Sequence, residues 1–263
     1  MSKIPGAIKV LIIINVIFFG VTQVLGDSLD GFMVKTFAMW FPQHPNFQYW
    51  QIVTSMFMHG GVLHILLNMY GLWAFGSPLE LMWKKDRFLT FYFAAGIGAS
   101  LIFLAVNYFQ FTMLSNELMA IGVKASDIHQ AVLTGKYNPT DMLSGVADKS
   151  VTVAVLEQKL STLWELFSNP ALGASGAIYG ILVAFGMSFP NAKLALIFLP
   201  VPIPAKYFIP VLIGIDLFSG VTGFSIFGGS IAHFAHVGGA LVGFLLLWYW
   251  KVRGVVTLPV RYE

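Results

Sequence analysis

The sequence has no cysteine. Thiolate catalysis and cysteine-based metal sites are thereby excluded, and the redox compartment leaves no mark. Charge is scarce too. Asp, Glu, Lys and Arg make up 10% of the 263 residues, where a soluble domain carries roughly 25%. Hydrocarbon takes their place, with 57% apolar and 15% aromatic residues and a mean hydropathy of +0.77. One core cannot hide so much apolar surface, so the chain reads as a polytopic membrane protein whose solvent is largely lipid. A net charge of +3 and a pI near 9.0 would suggest nucleic acid in a soluble chain. Here the basic residues flank apolar segments, which suits anionic lipid headgroups and not nucleic acid.

A bilayer span needs roughly 20 mostly apolar residues, and six segments qualify: 6–26, 59–82, 88–110, 171–189, 204–222 and 233–251. No small-residue cleavage site follows the first, which reads as a retained helix and not a signal peptide. Residues 27–58 are broken by prolines and charges, and their aromatics suit an interfacial loop. Residues 111–170 differ in kind. They hold ten charged residues, and Leu156, Leu160, Leu163 and Phe167 recur on one helical face before Asn169-Pro170 ends the pattern. Ser126 ahead of "DIHQAVLTG" reads as an N-cap, with the glycine as a stop. The expected architecture is an all-α polytopic bundle of six transmembrane helices with a helical extramembrane insertion between the third and fourth. Its parts are 1–110 (spans one to three with outer loop 27–58), the insertion 111–170, and 171–263 (spans four to six and a short cytoplasmic tail).

Ten of the fifteen basic residues fall on one side of these spans, in loops such as "WKKDR" and "WKVRG". That asymmetry predicts cytoplasmic termini, an outward-facing insertion and a bacterial inner membrane as the location.

Polar residues inside spans are costly and are functional candidates by default. The second span carries His64 and Asn68 four apart on one helical face. The fourth carries Ser175 in "ALGASGAIYG", with Tyr179 on the same face, and the sixth carries His233 and His236. With the termini on the same side, these three spans all begin at the outer face. His64, Ser175 and His236 each lie a few residues in, so at 1.5 Å per residue they share a shallow depth. Gly176 with Gly180, and Gly239 with Gly243, form small-xxx-small pairs that let helix backbones approach in lipid. Alone, such pairs signal packing as readily as chemistry. Together with the depth, they bring a serine within reach of an imidazole that can act as its base. Backbone N–H groups near Ser175, helped by the helix dipole, point toward a developing oxyanion, and His64 and Asn68 offer further donors.

On three motifs in order, the chain resembles the rhomboid intramembrane serine proteases from about Trp50 to the last span, excluding 111–170. These are "HxxxN" (His64, Asn68), "GxSGxxY" (Gly173, Ser175, Gly176, Tyr179) and "AHxxGxxxG" (Ala235, His236, Gly239, Gly243). The resemblance implies an endopeptidase with Ser175 as nucleophile and His236 as general base. It also implies an oxyanion site at Gly173 and Ser175 assisted by His64 and Asn68, with Tyr179 packed on the imidazole. A dyad of this kind expects no third carboxylate, no cofactor and no metal. Its partners would be membrane lipids and single-span transmembrane substrates, which enter laterally past the fifth span and a capping loop "GVTGFSIFGGS". One departure stands out: Gln51 follows Trp50 where the family often has arginine.

The same polar residues admit other readings. His233 is a rival base, but it lacks the glycines at +3 and +7 that follow His236. A metal site from His59, His64, His233 and His236 lacks HExxH and a nearby carboxylate. Asp216 in the fifth span is read as a packing residue, against a role in a triad. A catalytically inactive, client-binding relative is the alternative function, and a small transporter or channel is a third. The latter lacks the inverted repeats and paired broken helices expected of transporters.

Overall fold

A long apolar segment in lipid has no water to satisfy its backbone, so it must do so internally as a helix. The computed structural model describes residues 4–26, 28–144, 146, 152–196, 199–224 and 232–256. Its long helices are α1 (Gly6–Leu25), α4 (Val62–Trp83), α5 (Lys85–Ala120), α9 (Ser175–Ser188), α10 (Ala205–Thr222) and α11 (His233–Val252). Shorter ones are α2 (Phe32–Phe37) and α3 (Gln51–Thr54) in the first loop. After α5 come α6 (Ala125–Thr134), α7 (Pro139–Ser144) and α8 (Val153–Ser168). The protein is an all-α polytopic membrane protein, with one addition that its proline-rich sequence concealed. Strands β1 (Lys193–Leu196) and β2 (Leu199–Pro204) pair antiparallel between α9 and α10.

Among the described residues, five helices are long and apolar enough to cross a membrane. The expected fourth span is not among them. It begins only at Ser175 and has 14 residues, about 21 Å at 1.5 Å per residue, against a hydrocarbon core of about 30 Å. The chain before it is extended and already occupied: Met39 and Ala171 exchange backbone hydrogen bonds, and the Gly173 N–H donates to the Ser55 carbonyl at 2.9 Å. Gly173 itself has φ +125°, outside the helical region. The short α9 is buried among α4, α5 and α11, while the outer helices meet lipid. On α1, Val10, Ile13, Val16 and Ile17 are 45–56% exposed.

One end of the bundle is fixed by charge. Glu80 near the end of α4 accepts from the backbone N–H groups of Ala7 and Ile8 at 2.8 and 2.9 Å. Those are orphan donors at the start of α1, and a carboxylate there also answers the helix dipole. Trp83 meets Trp250 near the end of α11 with ring centroids 5.9 Å apart. The described beginnings and ends of the bundle therefore share one face, with the start of α9 at the other.

At that other face α5 continues unbroken past residue 110 to Ala120. Around its extension Leu156, Leu160 and Leu163 are fully buried with Leu118, Ile128 and Val132, forming a second apolar core. α6 is capped differently from the sequence reading. It begins at Ala125 after Lys124, and the Ser126 hydroxyl turns to Asp127. Gly135 does end it, in a left-handed conformation.

Gln51 explains how the first loop holds together without an arginine. Its side chain is fully buried. Its Oε1 accepts from the N–H of Gln48 at 3.0 Å, and its Nε2 donates to the carbonyls of Lys35 and Asn46 at 3.0 and 2.8 Å. One amide thus ties three points of the loop. Replacing it leaves buried backbone groups unsatisfied, at about 1–3 kcal/mol each. Gln51→Ala should lower stability by about 2–4 kcal/mol, read as a lower unfolding midpoint in detergent.

Candidate active site

Ser175 is the first residue of α9, not a residue some way into it. The first N–H groups of a helix have no intrahelical partners, so Ser175 opens onto a cluster of free donors. His236 lies in the first turn of α11, and His64 is the third residue of α4. The expected shared depth therefore brings all three elements to one place.

The closest link is between Ser175 Oγ and His236 Nε2, 2.8 Å apart. Glycine makes it possible. A methyl group added at Gly239 would overlap the Gly176 carbonyl oxygen, and one at Gly243 would sit 2.6 Å from Gly180 Cα. α9 and α11 touch backbone to backbone, closer than any side chain at these positions permits. Tyr179, one turn below Ser175, stacks on the His236 ring with centroids 4.2 Å apart and planes 11° from parallel.

His236 has a second partner that the motif reading set aside. Asp216 on α10 accepts through Oδ1 from His236 Nδ1 at 3.2 Å and from His233 Nδ1 at 2.6 Å. Its Oδ2 accepts from the Tyr179 hydroxyl. An ionised carboxylate only accepts, so this places the hydrogen of each imidazole on Nδ1. In that tautomer His236 turns its Nε2 lone pair to the serine. A lone carboxylate in lipid is costly, and here three donors surround it. Asp216 was expected to serve packing alone, with no carboxylate beside the dyad. The structure instead completes a chain from Ser175 through His236 to Asp216. The signal was present in "IGIDLFSG": an acid in an apolar span needs a partner, but one-dimensional spacing does not show which helix supplies it.

The remaining residues surround the serine. His64 reaches toward Gly173, where an added Cβ would lie 2.8 Å from its Nε2. Gly173 thus makes room for that imidazole, and its own N–H is already given to Ser55. One amide hydrogen of Asn68 goes to the His64 carbonyl at 2.9 Å, leaving its second free. His59 packs edge-on against His64, and His233 contacts Asp216 and not Ser175. A cavity of about 30 Å³ lies beside Ser175, walled by small residues including Gly96, Ala99 and Ser100; it is large enough for a water molecule. Among the described residues no group of three histidine or acidic side chains is arranged to hold a metal. Residues 225–231, which hold most of the expected capping loop, lie outside the described residues. Chemically, the site offers a hydroxyl, an imidazole nitrogen turned toward it and backbone N–H groups without intrahelical partners at one helix start.

Similarity to known proteins runs the same way. The family model for the Rhomboid domain matches residues 46–123 and 118–253. The human presenilin-associated rhomboid-like protein, mitochondrial, is 27% identical over 199 residues, covering 75% of this chain and 36% of that protein. The yeast (Saccharomyces cerevisiae) rhomboid protein 1, mitochondrial, is 27% identical over 198 residues, covering 75% of this chain and 41% of its own. The Arabidopsis thaliana RHOMBOID-like protein 12, mitochondrial, is 28% identical over 232 residues, covering 88% and 54% respectively. The chain thus spans between about a third and just over half of these relatives' lengths. Their names correct the expected location, pointing to a mitochondrial membrane rather than a bacterial plasma membrane. The physical reason is simple: a bias of basic residues tells which face the termini share, not which membrane it is.

The glycine contact yields a direct test. Gly239→Ala should cost about 1–3 kcal/mol through overpacking, read by thermal unfolding in detergent. Gly214→Ala, with nothing within 4 Å of its added Cβ, should be neutral or up to about 1 kcal/mol more stable.

Proposed function

The chain belongs to the rhomboid family, and from that premise we propose that it is an intramembrane serine endopeptidase cleaving single-span transmembrane proteins. The observation that carries this reading is the 2.8 Å approach of Ser175 Oγ to His236 Nε2 at the open start of α9.

In this reading a substrate helix arrives laterally beside α10 and unwinds near small residues to present its scissile carbonyl. Ser175 Oγ attacks the carbonyl carbon as His236 Nε2 takes its proton. Oxygen of the carbonyl becomes an oxyanion, met by backbone N–H groups at the start of α9 and by His64 and Asn68. Collapse of the tetrahedral species breaks the C–N bond, and His236 returns the proton to the leaving nitrogen. Water then attacks the acyl-enzyme with His236 again as base, releasing the carboxylate and restoring Ser175. Asp216 keeps His236 in the productive tautomer and stabilises the imidazolium in both halves. Gly173 leaves space for His64, and Tyr179 fixes the plane of the His236 ring. The small walls beside Ser175 favour a small side chain next to the cleaved bond.

Purified protein in liposomes should cut a single-span substrate within or at the edge of its apolar segment. Ser175→Ala and His236→Ala should abolish cleavage, and Asp216→Asn should lower kcat by about 100-fold or more. Undiminished cleavage by Ser175→Ala would defeat the proposal.

A further inference from the structure

A second, larger cavity adjoins the active site. It measures about 330 Å³ and lies where α8 and the extension of α5 face the ends of α10 and α11. That is the size of a ligand pocket. It shares Ala171 and Ala232 with the small cavity beside Ser175, so the two are neighbours along one path. His233, held by the same Asp216 oxygen as His236, lies in its wall.

The lining has an unusual chemistry for its place. Asn107, Gln110 and Asn169 bring three carboxamides to it, and Ser219 and Glu165 add a hydroxyl and a carboxylate. Asn107 is 9% exposed, and the Ser219 hydroxyl is buried with no hydrogen-bond partner. The Ser219 hydroxyl and Asn107 form the buried end of the cavity, Gln110 is half-buried, and Glu165 and Asn169 stand exposed at its mouth. Buried polar groups are ordinarily satisfied, so the unpartnered Ser219 hydroxyl marks the inner end of the cavity as a place where a ligand supplies the bond. The carboxamides of Gln110 and Asn169 and the Glu165 carboxylate are open to the same ligand toward the mouth. A carboxamide both donates and accepts, which matches the alternating N–H and C=O groups of an extended peptide. Glu165 is the one full charge among the described lining residues.

We propose that this cavity is a binding site for the extended segment of the substrate that leaves the membrane beside the scissile bond, with Glu165 selecting a basic side chain in it. The proposal rests on the protease reading for the identity of the occupant. The carboxamides hold the peptide backbone, and α8 takes part in substrate choice. The cavity's path toward Ser175 sets how far the bound segment lies from the cleaved bond. Residues 153–168 thereby gain a role beyond enclosing an apolar core.

Two arms test it. In liposomes, two single-span substrates differing only by Lys or Glu in the flanking extramembrane segment are compared. The wild type should prefer the Lys substrate about tenfold in kcat/KM, and Glu165→Lys should reverse the order. An unchanged preference in Glu165→Lys overturns the proposal. In the second arm, the same flanking segment as a fluorescent peptide is bound to the full-length Ser175→Ala protein. Binding that weakens about tenfold with added Glu165→Lys supports the site whether or not the wild type cleaves. Absent binding, or binding indifferent to Glu165→Lys, overturns it. A protein that binds the peptide but cuts neither substrate fails the protease reading alone.

Discussion

Everything at the reactive end depends on two helix backbones touching. α9 and α11 meet at Gly176, Gly180, Gly239 and Gly243, and lipid supplies no hydrophobic force to press them together. Packing must do it, which requires residues without side chains at the contact. The same contact fixes the 2.8 Å approach of Ser175 to His236. Packing and chemistry are therefore one arrangement, and no glycine in the pair belongs to only one of them.

A second constraint acts through Asp216. Its carboxylate joins α10 to both α9 and α11, through Tyr179 and the two histidines. In a low-dielectric surrounding such a group is tolerated only with its acceptors filled. Filling them orders three side chains at once. The His236 imidazole, with one face against Tyr179, one nitrogen on Asp216 and one on Ser175, has little freedom left. That preorganisation is the kind a water-poor site needs.

Much of this was legible in one dimension. Apolar length marked α1, α4, α5, α10 and α11, and helical spacing marked the buried Leu156, Leu160, Leu163 and Phe167. Ser175, His236 and His64 were visible as polar residues at matching depth, and Tyr179 on the Ser175 face and in a family motif. What was hidden depends on contacts between distant segments. α9 starts late because Gly173 and Ala171 are bonded to Ser55 and Met39, which no local pattern reveals. The pairing of β1 with β2 was hidden by the prolines of β2. Gln51 looked like a gap where an arginine belonged, and only the converging carbonyls around it show how an amide fills the place. Asp216 was seen and undervalued, since its partners sit 17 to 37 residues away in sequence.

The central claim is that Ser175 is a nucleophile activated by His236 inside the bundle. Its most direct test is covalent: treat the folded protein in detergent with a fluorophosphonate and locate the adduct by mass spectrometry. The account predicts one adduct, on Ser175, missing from Ser175→Ala and from folded His236→Ala. Equal labelling of Ser175→Ala, or a folded wild type that takes no label at all, would contradict it.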